Sequence, residues 1–132
     1  MADLPQNYRE FLENPYYAVV TTLRPDGSPH NTVVWVDLKD GDVAFNTSVG
    51  RAKQRHLAND PRVAVMVVNP ANAYHWVAVS GTGELISEGA DAHIDSLSNK
   101  FIGKDYPYRQ PGEERVTVRV HADKIEGTGF DG

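Results

Sequence analysis

The sequence predicts a mainly β, α+β protein: six antiparallel strands closing into a small barrel, with a few short helices on its flanks. Three observations lead there. Runs of β-branched and aromatic residues follow one another through tight Gly-, Pro- and Asp-containing turns, as in a meander. Only three stretches carry a helical period, one before the strands, one between the third and fourth, and one between the fifth and sixth. A six-stranded open sheet this short would also leave its edges unprotected, which favours closure over a sandwich. With 132 residues and 40% hydrophobic content, the chain suits a single domain spanning 1–132.

The elements follow in order. Residues 5–14 set Tyr8, Phe11 and Leu12 at i, i+3, i+4 after an early proline, which predicts a short amphipathic helix lying on the barrel as a lid. Tyr16–Leu23, the turn Arg24-Pro25-Asp26-Gly27 and His30–Asp37 form a β-hairpin, and Lys39-Asp40-Gly41-Asp42 turns the chain into a short strand at Val43–Asn46. Arg51–Asn59 reads as helix, with Thr47 or Ser48 as N-cap and a stop at Asn59-Asp60-Pro61. Strands resume at Arg62–Val68 and Tyr74–Ile86, the latter with a bulge or bend at Gly81 and Gly83. Residues 90–102 are helical, with Ile94, Leu97 and Phe101 on one face; the loop 103–114 follows, and Val116–Ile125 alternates as the last strand.

Composition excludes several chemistries. The chain has no cysteine, hence no thiolate nucleophile, Cys-based zinc site or Cys-ligated cluster. The five histidines lie 18 or more residues apart, so no local metal-ligand spacing exists and no metal is expected. G-x-S-x-G and the phosphate-loop motif are missing, and Gly81-Thr82-Gly83 fails the dinucleotide fingerprint because residue 86 is isoleucine within a strand pattern. A net charge of −5 argues against nucleic acid or an anionic membrane as partner. With no long apolar run and no signal-like start, the expected location is cytoplasmic. The acidic pairs Asp40/Asp42 and Glu113/Glu114 fall in turn-like sequence and read as solvated surface.

One charge feature stands apart. Arg51, Lys53, Arg55, His56 and Arg62 crowd together with only Asp60 among them. Arg51 and Arg55 at i, i+4 repel by a few tenths of a kcal/mol unless an anion lies between them. Hydroxyls at Thr47 and Ser48 and a helix start would supply hydrogen bonds to a phosphate. A solvated face with its arginines paired to acids explains the pattern equally well on sequence alone.

The segments YYAVVTTLRPDGSPHNTVVWV, VAFNTSVGRAKQRHLANDPRVAVMV and YHWVAVSGTGEL, in this order and spacing, resemble the pyridoxamine-phosphate-oxidase-like split β-barrels, and within them the branch that binds the deazaflavin coenzyme F420. The likeness covers roughly residues 8–127. It implies a six-stranded antiparallel split β-barrel, a homodimer, and a coenzyme in the groove between subunits. By matching position, Thr32, Val33, Val34 and Trp35 correspond to the strand that cradles the ring. Asn46, Thr47, Ser48, Arg51 and Lys53, with Arg55 nearby, correspond to the phosphate grip, and Tyr74, His75 and Trp76 to residues lining the same groove. Ordinary core burial for Trp35 and Trp76, and a surface position for His75, are the competing readings. KIEGTGFDG lacks the arginine motif that resembles the substrate clamp of true pyridoxamine phosphate oxidases, which weighs against vitamin B6 oxidation.

The resemblance thus implies an F420-dependent reductase passing hydride to a small conjugated acceptor such as an enone, quinone or tetrapyrrole, with no catalytic side chain required. FMN on the same barrel, or a non-catalytic flavin-, deazaflavin- or haem-binding module, are the alternatives.

Overall fold

In the computed structural model, which describes residues 2–130, the chain runs α1 (Gln6–Leu12), β1 (Ala18–Leu23), β2 (Pro29–Val34), β3 (Asp37–Lys39), β4 (Asp42–Ser48), α2 (Ala52–Asn59), β5 (Arg62–Asn69), β6 (Asn72–Ile86), α3 (Ala90–Ile102) and β7 (Arg115–Thr128). All pairings are antiparallel, in the order β2-β1-β5-β6-β7-β4-β3. Period-two alternation does what the sequence promised. Ala18, Val20 and Thr22 of β1, Val63, Val65 and Val67 of β5, and Val77 and Val79 of β6 face the core, with Phe45, Val118 and Val120 opposite. Gly81 sits at a register shift between β6 and β7. A side chain there would place its Cβ 1.9 Å from the His121 carbonyl oxygen, so the strands can cross this closely only at glycine.

The mainly β class holds, and the strand count is seven rather than six. His30–Asp37, expected as one strand, is two: β2 stops at Val34 and β3 starts at Asp37. Trp35 leaves the strand to stack on Phe101 of α3, with ring centroids 5.7 Å apart, and meets Tyr106 edge-on at 6.2 Å. Val36 turns into the core.

This break has a global effect. β2 and β3 form opposite edges of the sheet, yet only Trp35 and Val36 join them. A link of that length spans at most about 10 Å, so the sheet must roll until its edges meet at this corner. The edges are not hydrogen-bonded to each other, and the expectation of closure is corrected: the barrel is split here. Lys100 of α3 ties the seam, its Nζ donating to the Val36 carbonyl at 2.7 Å and to the Leu12 carbonyl at 2.8 Å. Burial lowers the Lys100 pKa, against the opposing pull of Asp37 and Glu13.

α1 buries Phe11 and Leu12 over one end of the barrel, as a lid. α2 begins one residue later than expected, and its cap lies three or four residues further on. Thr47 and Ser48 are not its N-cap: they belong to β4, opposite Val116 and Arg115 of β7. The chain then turns through Gly50 at φ +91°, and Arg51 takes the cap position without a side-chain hydrogen bond. Among the described residues no helix is long and apolar enough to cross a membrane.

Lys100→Met should leave the Val36 and Leu12 carbonyls unpaired at the seam and lower the unfolding free energy by about 1–3 kcal/mol. Urea denaturation followed by circular dichroism would read this, and an unchanged midpoint would show that apolar contact alone holds the edges together.

Candidate functional site

The corner that splits the barrel also opens a cleft of about 270 Å³. Its first wall is the end of β2, Val33 and Val34, together with Trp35; its floor is Asn46 and Thr47 of β4 beside Arg115 of β7; Arg51 and Lys53 enter from the start of α2. The rest of the lining is apolar and aromatic: Tyr17 just before β1, Ile94 and Leu97 of α3, and Tyr106 and Tyr108 of the loop 103–114, with Tyr106 beside Trp35.

A connected set of polar contacts fixes the floor. Arg115 donates from Nε to Asn46 Oδ1 at 2.8 Å and from Nη1 to Glu113 Oε1 at 2.7 Å, and its guanidinium lies over the Tyr106 ring at 5.1 Å. Because Asn46 Oδ1 is taken by a donor, its Nδ2 donates, to the Ala90 carbonyl at 3.0 Å and towards His93 Nδ1 at 3.1 Å. His93 therefore accepts at Nδ1, where Thr117 Oγ1 also stands at 2.9 Å, and its Nε2 faces Asp37 Oδ1 at 2.8 Å. The loop above is fastened in the same manner. Asp95 accepts the Tyr106 backbone N–H at 2.9 Å and both terminal nitrogens of Arg109 at 3.1 Å, which holds its carboxyl below the usual range.

Two groups on the cleft lack partners. Thr47 Oγ1 is buried with no hydrogen bond, and Lys53 takes part in none of the ion pairs among the described residues. Burial, and then the charges of Arg51 and Arg115, lower the Lys53 pKa. A hydroxyl donor and clustered cations on one floor suit a phosphate, and the aromatic side chains beside them suit a planar ring.

Seven of the residues singled out from sequence meet here: Val33, Val34, Trp35, Asn46, Thr47, Arg51 and Lys53. Thr32 is turned from β2 towards the interior, and Ser48 is buried next to the floor without lining it. Arg55 folds back, its Nε donating to the Gly50 carbonyl at 3.1 Å. Tyr74, His75 and Trp76 lie elsewhere in this chain. His75 is held by Phe11 and Phe130, with ring centroids at 4.6 and 4.8 Å, Tyr74 is exposed, and Trp76 stands between Val68 and Thr128.

Arg115, Tyr17, Tyr106 and Tyr108 were not singled out. Arg115 shows no motif, and only the pairing of β4 with β7 brings it opposite Ser48. Glu113 corrects an expectation: far from solvated, its side chain is 9% exposed and pairs with Arg115, itself 4% exposed. Asp42 likewise pairs with Arg119 at 2.8 Å.

Fold and cleft together define a split β-barrel with a cleft lined by clustered cations and aromatic side chains. The chain belongs to the pyridoxamine 5'-phosphate oxidase family, whose pattern it matches over residues 4–129. It is 26% identical over 122 residues to an F420H(2)-dependent biliverdin reductase of Mycobacterium tuberculosis, covering 89% of this chain and 83% of that one. A pyridoxine/pyridoxamine 5'-phosphate oxidase of Bacteroides fragilis is 27% identical over 113 residues, though the match spans only 41% of its length. Among solved structures, an F420 reductase superposes with a TM-score of 0.81 at 27% identity, covering 93% of this chain and 98% of that one. A conserved hypothetical protein of M. tuberculosis, at 0.78 and 24% identity, shares the fold.

The cleft generates a pH prediction. Protonated Lys53 attracts an anion, and its pKa lies below the ordinary lysine value, so affinity for an anionic ligand is full near neutrality and falls earlier on the alkaline side than an ordinary lysine would allow. On the alkaline side, Lys53→Arg should hold affinity level at a pH where the wild type has begun to lose it. Parallel curves for the two proteins would assign the loss to another group.

Proposed function

We propose that this chain is an F420-dependent reductase that holds the deazaflavin coenzyme in the cleft and passes hydride to a small conjugated acceptor such as an enone, quinone or tetrapyrrole. The observation that carries the reading is the unpartnered Lys53 and Thr47 Oγ1 on the floor, next to an aromatic slot. Thr47, Arg51, Lys53 and Arg115 would hold the phosphate, with Asn46 positioning Arg115 through its Oδ1. β2 is an edge strand, so one side of its backbone at Val33–Trp35 has N–H and C=O groups free for the polar rim of the ring. Tyr106 and Tyr108 exclude water from the cleft, and no side chain serves as a nucleophile. When bound, the reduced coenzyme supplies the hydride; the chain orients the ring and leaves one face open for the acceptor. The relatives named for F420 support this assignment.

A second copy of the chain belongs to the reading. The outer face of β1, β5 and β6 is apolar where it meets solvent, with Val19 43% and Met66 39% exposed beside Ala64 and Ala78 around a depression of about 440 Å³. Covering that face makes a homodimer and gives Tyr74, His75 and Trp76 a groove to line, supplied by the second copy. FMN is the second reading, favoured by the family match and the Bacteroides fragilis relative.

Titration of the purified protein with F420 and with FMN tests the assignment, F420 being expected to bind more tightly. Lys53→Glu should weaken it at least about tenfold, or about 1.4 kcal/mol, with the far-UV circular dichroism unchanged, and reduced F420 should be consumed on addition of a quinone. Tighter binding of FMN, or a Lys53→Glu variant of undiminished affinity, would overturn the choice. Light scattering should report a dimer, and Trp76→Phe should lose most of the fluorescence quench on coenzyme binding; a monomer with binding intact would remove the second copy from the site.

A further inference from the structure

Behind the floor of the cleft, a carboxylate that does not itself line it pairs with the cations that do. Glu113 Oε1 accepts from Arg115 Nη1 at 2.7 Å and stands 3.8 Å from Arg51 Nη2, so one acidic side chain is shared by two of the three cations that line the cleft. The pair with Arg115 is buried, whereas the Arg51 side chain is 55% exposed and free to turn from Glu113 towards a ligand. Lys53 has no such partner. For holding Arg115 alone a neutral acceptor would serve, because Asn46 Oδ1 already does so at its Nε. What the carboxylate adds is charge: it lowers the positive potential of the floor by a full unit at short range, where shielding by salt is weak.

The geometry points to Glu113 as a specificity-determining residue that biases the cleft towards a phosphodiester monoanion and against a phosphate monoester dianion. The inference rests on the reading of the cleft as a coenzyme phosphate site. A monoester carries about −1.5 to −2 at neutral pH, since its second ionisation falls near pH 6; a diester carries a single charge. Repulsion from a fixed carboxylate scales with ligand charge, so Glu113 opposes the dianion about twice as strongly, in free energy, as the monoanion. The phosphate of FMN is a monoester, whereas that of the deazaflavin coenzyme is a diester with its further acidic groups out along the tail. Glu113 thereby separates two coenzymes whose ring and ribityl portions the cleft alone would accept alike.

The test is Glu113→Gln, which keeps an oxygen acceptor for Arg115 and removes the charge. Dissociation constants for F420, FMN and riboflavin are measured by fluorescence on the wild type and the variant. If F420 tightens about threefold, FMN should tighten about tenfold, the square of that factor, and riboflavin should not respond. Equal changes for F420 and FMN, or a loss of affinity for both, would overturn the inference and leave Glu113 as a support for Arg115. Should the variant fail to fold, Glu113→Asp, which keeps the charge, is compared with Glu113→Asn, which removes it at the same length and leaves Arg115 in place. The FMN-to-F420 affinity ratio is then expected to be about threefold higher in the Asn variant, and equal ratios would overturn the inference. Failure of the underlying reading looks different: the wild type would bind riboflavin as tightly as FMN, and Lys53→Glu would change neither coenzyme.

Discussion

The structure depends on a connection of two residues. Trp35 and Val36 join the outermost strands of the sheet, β2 and β3, so the edges cannot separate and five intervening strands must curve to accommodate the link. Val36 is anchored in the core and its carbonyl is held by Lys100, while Trp35 turns outward onto Phe101. One residue thus closes the fold and its neighbour opens the site. The cleft exists because the edges approach without pairing: β2 keeps an unpaired backbone rim, and β4, pinned by β7, presents Asn46 and Thr47 across the gap.

The electrostatics follow from this placement. The basic cluster around residue 51 is divided by structure into parts with different fates. Arg62 pairs with Asp60 at 2.7 Å, Arg55 folds onto its own loop, and His56 is buried against Thr22, where desolvation lowers its pKa. Only Arg51 and Lys53 reach the cleft, and Arg115 joins them from the other end of the chain. The members of the cluster thus part ways: Arg55 and Arg62 are satisfied by their own surroundings, while Arg51 and Lys53 line the cleft.

Much of this was legible in the residues. Alternating Val positions located the strands, the face formed by Ile94 and Leu97 located the helix that walls the cleft, and Gly81 marked the bulge. The break at Trp35 was not legible, because Trp and Val are good strand formers and the reason to leave the strand is a distant partner, Phe101. Thr47 and Ser48 have the chemistry of an N-cap, and local propensity gives no sign that pairing with β7 takes precedence. Arg115 and Glu113 sit beyond a loop, and their role depends wholly on which strand lies beside β7. Residue type located the candidates in the first half of the chain; topology alone supplied those of the second.

The fastening of the loop 103–114 bears on how the protein can vary over evolution. Asp95 grips the loop at Tyr106 and Arg109, while Arg115 and Asn46 secure the floor through separate contacts. Apart from the anchor Arg109, residues 107–112 form a short arc that contributes Tyr108 to the rim and little to the barrel. Mutations in the arc can therefore accumulate and reshape the entrance while the basic floor stays as it is. A lineage carrying this scaffold can remodel what the cleft admits by altering a handful of codons, with the floor inherited intact.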